Sequence, residues 1–280
     1  MTQLFTRLPK RFFAFGCSFT KWAWPTWADI ISCDLKIPIY NYGRGGAGNQ
    51  FIFNTIMQAD NRFHFTNEDL VMVCWTNVSR EDRYASNQWW TPGNIYSQNT
   101  YDSNYIEKWA DPLGYCIRDF ATIKVVSDFL DYKNIPHHFL KMIDMEILDQ
   151  WNTNTTISQN GSVDVIDFYR PYLEKINRSF YDILWNNNLS IKFQEEQKEI
   201  GPKFKDGHPT TPAHLKYLET VFDHKFRDET KGKISQSHQI TINALRNHHD
   251  NFPNDRHRYL QSVPAEAGIC REYYQDLKMF

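Results

Sequence analysis

Several features that mark particular protein classes are missing from this sequence. Its unbroken apolar runs are only a few residues long, well short of the roughly 20 residues that cross a bilayer. Its 31 basic and 33 acidic residues leave a net charge of -2, which provides no broad basic surface for nucleic acid or an anionic membrane. We therefore expect no nucleic-acid partner and no membrane association.

Cysteine is also sparse and shows no pairing in its spacing. The five cysteines include no Cys-x-x-Cys pair, so the sequence predicts neither a disulfide framework nor a structural zinc site, and it favours a reducing compartment. The apolar segment after the basic residues near the N-terminus is too short for the core of a signal peptide. These features together predict a cytoplasmic protein.

Aromatic residues, by contrast, are abundant. They make up 16% of the 280 residues and include nine Trp and fifteen Tyr. Aromatic side chains in such excess line carbohydrate-binding or interface surfaces, or they fill a Trp-rich core. Both interpretations remain open at the level of sequence.

Strand and helix patterns alternate along most of the chain. Residues 70–75 form a nearly continuous apolar run, which is typical of a parallel strand covered on both faces. Helical spacing of apolar residues predicts helices over 171–185 and 211–226. The repeated β-α units predict a three-layer α/β/α fold with a doubly wound, flavodoxin-like parallel sheet, over residues 1–228. The polar residues 229–280 predict a C-terminal extension, helical in part, that packs on this domain or on a partner.

An aromatic-rich insertion interrupts the alternation at residues 84–115. It is rich in Asn, Ser, Trp and Tyr and has no steady period, and a stretch of that length is typical of a lid or binding segment. Trp89 and Trp90 are candidates for stacking on a sugar ring, although the same aromatics would suit a subunit interface. Arg80, just before the insertion, is a candidate contact for a polar substrate or part of a salt-linked loop.

Polar residues and glycines follow three predicted strands in turn. Ser18 follows the first strand, the glycine cluster 43–48 follows the second, and Asn77 follows the third. Because ligands of open parallel sheets bind at the carboxyl ends of the strands, we expect these residues to share one edge. A reactive serine needs an adjacent base and preorganised N–H donors for the oxyanion.

The remaining candidates lie just before the predicted closing helix. His208 is the candidate base for a Ser18 nucleophile, and Asp206 is the candidate acid that orients it. The backbone N–H groups of Ser18 and Gly46, with the side chain of Asn77, would form the oxyanion hole. No metal or organic cofactor is needed for this chemistry.

The order of these motifs resembles the SGNH (GDSL-like) hydrolase superfamily. Gly16-Cys17-Ser18 stands where the family has Gly-Asp-Ser, and Asn41-Tyr42-Gly43-Arg44-Gly45-Gly46 resembles its second block. Trp75-Thr76-Asn77 keeps the asparagine of the third block, and Asp206-Gly207-His208-Pro209 resembles the last block with one residue fewer between acid and base. The resemblance implies a divergent serine esterase of the SGNH type. We expect it to hydrolyse an O-acetyl or other small acyl ester, carried on a carbohydrate.

Other interpretations remain open. Ser18 could cap a helix, Asp206-Gly207 could be a plain turn, and Asn77 could form an Asx-turn. Gly43-x-Gly45-x-x-Gly48 also matches a dinucleotide-binding pattern, but after the second strand rather than the first. The competing class is an SGNH-fold protein without activity. The glycine-cysteine-serine motif resembles variants that occur in viral, especially phage, proteins. This resemblance implies a virion-associated protein or a homo-oligomer assembled through the C-terminal extension.

Overall fold

The computed structural model describes residues 3–96, 100–145, 159–186, 200, 206–252 and 258–275. Residues 97–99 of the predicted insertion lie outside the described residues. So do residues 253–257 and 276–280 of the predicted extension.

A parallel sheet forms the centre of the molecule. The strands of the described chain are β1 (Arg11–Gly16), β2 (Ile39–Asn41), β3 (Asp69–Trp75), β4 (Arg83–Ala85), β5 (Gln88–Trp90) and β6 (His137–Lys141). The main sheet has the order β2-β1-β3-β6, with all neighbours parallel, while β4 and β5 pair as a small antiparallel hairpin. Every residue of β3 is buried. The prediction of a central strand covered on both faces is therefore confirmed.

Helices cover both faces of this sheet. They are α1 (Trp27–Leu35), α2 (Asn49–Phe63), α3 (Ser103–Trp109), α4 (Pro112–Tyr132), α5 (Gln159–Leu173), α6 (Phe180–Asn186), α7 (Thr211–Val221), α8 (Asp228–Asn251) and α9 (Tyr259–Ser262), followed by 3-10 turns at Ala265–Ala267 and Arg271–Tyr273. Adjacent residues of β1 face opposite sides. Phe12 packs on Trp27 of α1 and Phe13 on Phe63 of α2. Because α1 contacts α7 and α8 while α2 contacts α4, the predicted three-layer fold is confirmed.

The helix predicted over residues 171–185 is wrong as a single element. The chain leaves α5 at Leu173 and enters α6 only at Phe180. Between them, Ile176 forms a parallel bridge with Phe139 of β6, and Asn177 N donates to the Phe139 carbonyl at 2.9 Å. Residues 176 and 177 therefore pair with the edge strand of the sheet instead of continuing the helix that the apolar spacing predicted.

The cysteines also differ from expectation. Cys33 on α1 and Cys270 near the C-terminus form a disulfide with their Cα atoms 5.2 Å apart, whereas Cys17, Cys74 and Cys116 are free and buried. The sequence predicted no disulfide framework, and this single bond departs from that expectation. The two partners are separated by 237 positions, so no local spacing could reveal them. No helix in the described ranges has the length and apolar character to cross a membrane.

Candidate active site

Ser18 lies in a tight turn directly after β1. Thr20 N donates to the Cys17 carbonyl at 2.9 Å and closes the turn. A Cβ at Gly16 would lie 2.1 Å from Thr20 Oγ1, so the strand can enter this turn only through glycine. Ser18 is 5% exposed. Neither its amide nor its hydroxyl makes a hydrogen bond to a described residue.

The turn leaves Ser18 well away from the start of the following helix. Helix α1 begins at Trp27 and is capped by Thr26, whose side chain and amide form a capping box with Asp29. The helix-cap interpretation of Ser18 is therefore wrong, and the serine has no structural partner of that kind.

Asp206 and His208 form a hydrogen-bonded pair despite their close spacing. Asp206 Oδ1 accepts from the His208 amide at 2.7 Å and lies 2.7 Å from His208 Nδ1. With only Gly207 between them, the two residues form a turn in which the carboxylate contacts both the backbone amide and the ring of His208. An ionised carboxylate at Nδ1 favours the imidazole tautomer that keeps its proton there and leaves Nε2 as the proton acceptor.

The loop that carries Ser18 also holds the imidazole in place. The Trp22 indole stacks on the His208 ring with centroids 3.6 Å apart, and the Phe19 ring lies 5.7 Å from it. Trp24 Nε1 donates to the carbonyl of Pro209 at 2.8 Å. The segment after Ser18 therefore contacts the His208 segment at three points. No hydrogen bond joins Ser18 Oγ to His208 among the described residues, and such bonds are often long before substrate binds.

The electrostatics of Asp206 favour its ionised form. The side chain is 1% exposed, and burial alone would raise its pKa. Hydrogen bonds from His208 and from the Tyr259 hydroxyl outweigh that effect, so the pKa of Asp206 lies below its ordinary value. Burial and the nearby Asp206 charge raise the pKa of Tyr259, which keeps the phenol protonated as a donor.

The predicted oxyanion donors have no hydrogen-bond acceptor among the described residues. Gly46 has a φ of +74°, and a Cβ there would lie 2.1 Å from the Thr91 carbonyl oxygen. Asn77 Oδ1 accepts from Ser79 N at 2.7 Å, which is the Asx-turn that the sequence left open. This bond occupies the amide oxygen. The Ser18 and Gly46 N–H groups and Asn77 Nδ2 make no hydrogen bond to a described residue.

A polar network that the sequence did not reveal joins the loops at this edge. Asn41 Nδ2 donates to the Thr20 carbonyl at 2.9 Å, which ties the second strand end to the Ser18 turn. Asn49 exchanges two hydrogen bonds with Thr76, next to Asn77. Asn49 Nδ2 also donates to Asp119, whose pKa burial raises to about 6. Asn41 and Thr76 belong to motif blocks that the sequence already indicated, whereas Asn49 and Asp119 lie outside every motif.

The three candidate substrate contacts differ in their surroundings. Arg80 Nη1 donates to the Ala47 carbonyl at 2.8 Å, so its guanidinium braces the glycine cluster. The Trp89 ring packs edge-on against Phe51. Trp90 is 46% exposed and lies beside Tyr101, with ring centroids 5.4 Å apart. Thr91 follows directly: its hydroxyl donates to the Gly45 carbonyl at 3.0 Å, and its carbonyl lies against Gly46. The hairpin of β4 and β5 therefore borders the candidate oxyanion hole.

The dinucleotide interpretation of the glycine cluster meets a physical obstacle. The N–H groups of Gly48 and Phe51, where a phosphate would bind at the start of α2, each donate to the Asp82 carboxylate at 2.8 Å. A bound phosphate would have to displace this buried anion. Within the described ranges, no group of three His, Cys, Asp or Glu side chains is arranged to hold a metal ion.

Several solved structures resemble this chain. A member of the lipolytic G-D-S-L family from Veillonella parvula DSM 2008 is 15% identical, with 77% of this chain and 99% of that chain covered and a TM-score of 0.41. A protein assigned to the same family from Desulfitobacterium hafniense DCB-2 is 13% identical, with 76% and 99% covered and a TM-score of 0.41. A protein assigned as an acylhydrolase from Bacteroides fragilis NCTC 9343 is 13% identical, with 84% and 92% covered and a TM-score of 0.35. No family model and no curated protein sequence matches the chain.

Proposed function

We propose that this protein is a serine hydrolase that cleaves esters through Ser18, His208 and Asp206. The observation that carries the proposal is the Asp206–His208 pair, with 2.7 Å between Oδ1 and Nδ1. Trp22 stacks on its imidazole from the loop that carries Ser18, a serine with no hydrogen bond to any described residue. Acid, base and nucleophile thus belong to segments in direct contact.

The chemistry follows from the roles of these groups. Ser18 Oγ attacks the ester carbonyl carbon while His208 Nε2 takes its proton. The oxyanion accepts hydrogen bonds from the Ser18 and Gly46 amides and from Asn77 Nδ2. Collapse of the tetrahedral intermediate breaks the C–O bond, and His208 returns the proton to the departing alcohol. Water then attacks the acyl-serine with His208 again as base, which releases the carboxylic acid and restores Ser18.

We propose a small acyl group, such as O-acetyl, on a carbohydrate alcohol as the substrate. Trp90 supports this choice because it combines an exposed ring with a position next to Thr91, the residue that contacts Gly46. A sugar ring stacked on this indole would lie on the hairpin that borders the candidate oxyanion hole. Trp89 supports it less, because its ring packs on Tyr84 and Phe51.

Hydrolysis of p-nitrophenyl acetate tests the proposal. We expect Ser18→Ala to lower kcat at least about 10³-fold, with an unchanged circular dichroism spectrum. Cys17→Ala is the matched control: it removes the neighbouring thiol, which is buried in the core beside Met142, and it should keep activity. Full turnover in Ser18→Ala would refute the proposal. A folded, inactive wild-type protein would favour a structural role, with assembly into a homo-oligomer or a virion through residues 229–280.

A further inference from the structure

The C-terminal extension is fastened to the domain at several points. Helix α8 packs on α1 and α7, and the Cys33–Cys270 disulfide links the extension to α1. Near the end of the described chain, Gln275 N donates to the Ile39 carbonyl of β2 at 3.0 Å. The described parts of the extension thus contact the domain at several points, and one of these contacts reaches the candidate site.

One contact of the extension reaches Asp206 directly. The Tyr259 hydroxyl of α9 donates to Asp206 Oδ2, while Asp206 Oδ1 is taken by His208. Within the described part of the chain, Tyr259 is therefore the one hydrogen-bond donor to this carboxylate that lies outside the 206–208 turn. Because Asp206 is buried, loss of the phenol would leave Oδ2 without its partner.

The extension also makes apolar contacts with the loop that carries Ser18. A small apolar cluster combines residues of the Ser18 loop with residues of α8, α9 and the following segment: Trp22, Trp24, Ile242, Leu245, Tyr259, Leu260 and Val263. Trp22 is the residue that stacks on His208. The tyrosine ring and the indole that stacks on His208 therefore pack against the same apolar cluster.

We propose that Tyr259 is a positioning residue of the active site, which orients the Asp206 carboxylate toward His208. The C-terminal extension is accordingly a working part of the catalytic apparatus rather than a separate appendage. This inference rests on the proposed hydrolase function, because it assigns Tyr259 to the same acid–base pair.

The test is Tyr259→Phe, assayed with p-nitrophenyl acetate. The variant keeps the ring in the apolar cluster and removes only the hydroxyl. We expect kcat to fall about 10- to 100-fold, with KM nearly unchanged, because this is the usual effect of removing a hydrogen bond to a charged group. Tyr274→Phe is the matched control, because Tyr274 is another tyrosine of the extension that donates to a carboxylate, that of Asp29. It should keep wild-type kcat.

A double-mutant cycle separates positioning from general support. If Tyr259 acts through Asp206, adding Tyr259→Phe to Asp206→Asn will lower kcat by less than about twofold further. Equal losses in both backgrounds, or equal activity of Tyr259→Phe and Tyr274→Phe, would overturn the inference while Ser18-dependent turnover remained. Wild-type turnover that does not depend on Ser18 would instead reject the proposed function, and the role of Tyr259 with it.

Discussion

Acid sensitivity of the fold should depend on His214. This residue of α7 is 1% exposed, its ring lies 5.3 Å from that of Phe180, and its Nδ1 has no hydrogen-bond partner in the described structure. Burial, with a smaller contribution from the charge of His208, lowers the pKa of His214 to about 3. The folded protein therefore keeps this imidazole neutral over the range in which an unfolded chain protonates it.

The sign and the size of the effect follow from proton linkage. The unfolded histidine binds a proton below a pKa of about 6.5, whereas the folded one does so only near 3. Stability from the neutral ring is fully present above about pH 6.5 and is lost as the pH falls toward 3. The slope approaches about 1.4 kcal/mol per pH unit, so lowering the pH from 6.5 to 5.0 should cost about 2 kcal/mol of unfolding free energy.

Urea unfolding followed by tryptophan fluorescence measures this directly. His214→Phe keeps an aromatic ring beside Phe180 but cannot take up a proton. As the pH falls from 6.5 to 5.0, wild type should lose about 2 kcal/mol of unfolding free energy that the variant does not lose. The difference between variant and wild type should therefore grow by that amount in favour of the variant. His64→Asn is the control: His64 is exposed and has a φ of 47°, which asparagine tolerates. If the unfolding free energies of wild type and His214→Phe change equally with pH, the reasoning is refuted.

Two further predictions concern the oxyanion donors and the disulfide. Asn77→Ala should lower kcat about 10²- to 10³-fold with little change in KM, because it removes a donor to the transition state; kinetics on p-nitrophenyl acetate check this, and an unchanged kcat would exclude Asn77 from the oxyanion hole. Denatured, unreduced protein should react with three thiol equivalents of Ellman's reagent out of five cysteines, whereas Cys33→Ser should react with four, because Cys270 loses its partner. Five thiols in the wild-type protein would contradict the Cys33–Cys270 bond.

The sequence was sufficient to predict the core of the fold because local patterns encode it. The apolar run of β3 and the alternation of strands and helices require only neighbouring residues to be recognised. The prediction of one helix over residues 171–185 was wrong because its decisive contact, Asn177 with Phe139, depends on a strand edge far away in the chain. Helical spacing alone carries no information about such an edge.

The candidate site was predictable to a similar extent. Ser18, the glycine cluster and Asn77 could be identified because each follows a strand, and parallel topology brings strand ends together. Asn49 and Tyr259 could not, because their partners Thr76 and Asp206 are joined to them only in the folded chain. A lone asparagine on a helix, or a tyrosine in a polar tail, has no spacing that distinguishes it from its neighbours.

The central claim, that Ser18 is an activated nucleophile, is tested most directly by covalent labelling. A fluorophosphonate reacts when a serine oxygen attacks phosphorus and fluoride departs, so it reports the activated hydroxyl independently of any substrate. Intact-mass measurement and peptide mapping should detect one adduct, located on Ser18, formed more slowly in Asp206→Asn and absent in Ser18→Ala. A folded wild-type protein that forms no adduct, or that forms it at another residue, would contradict the account.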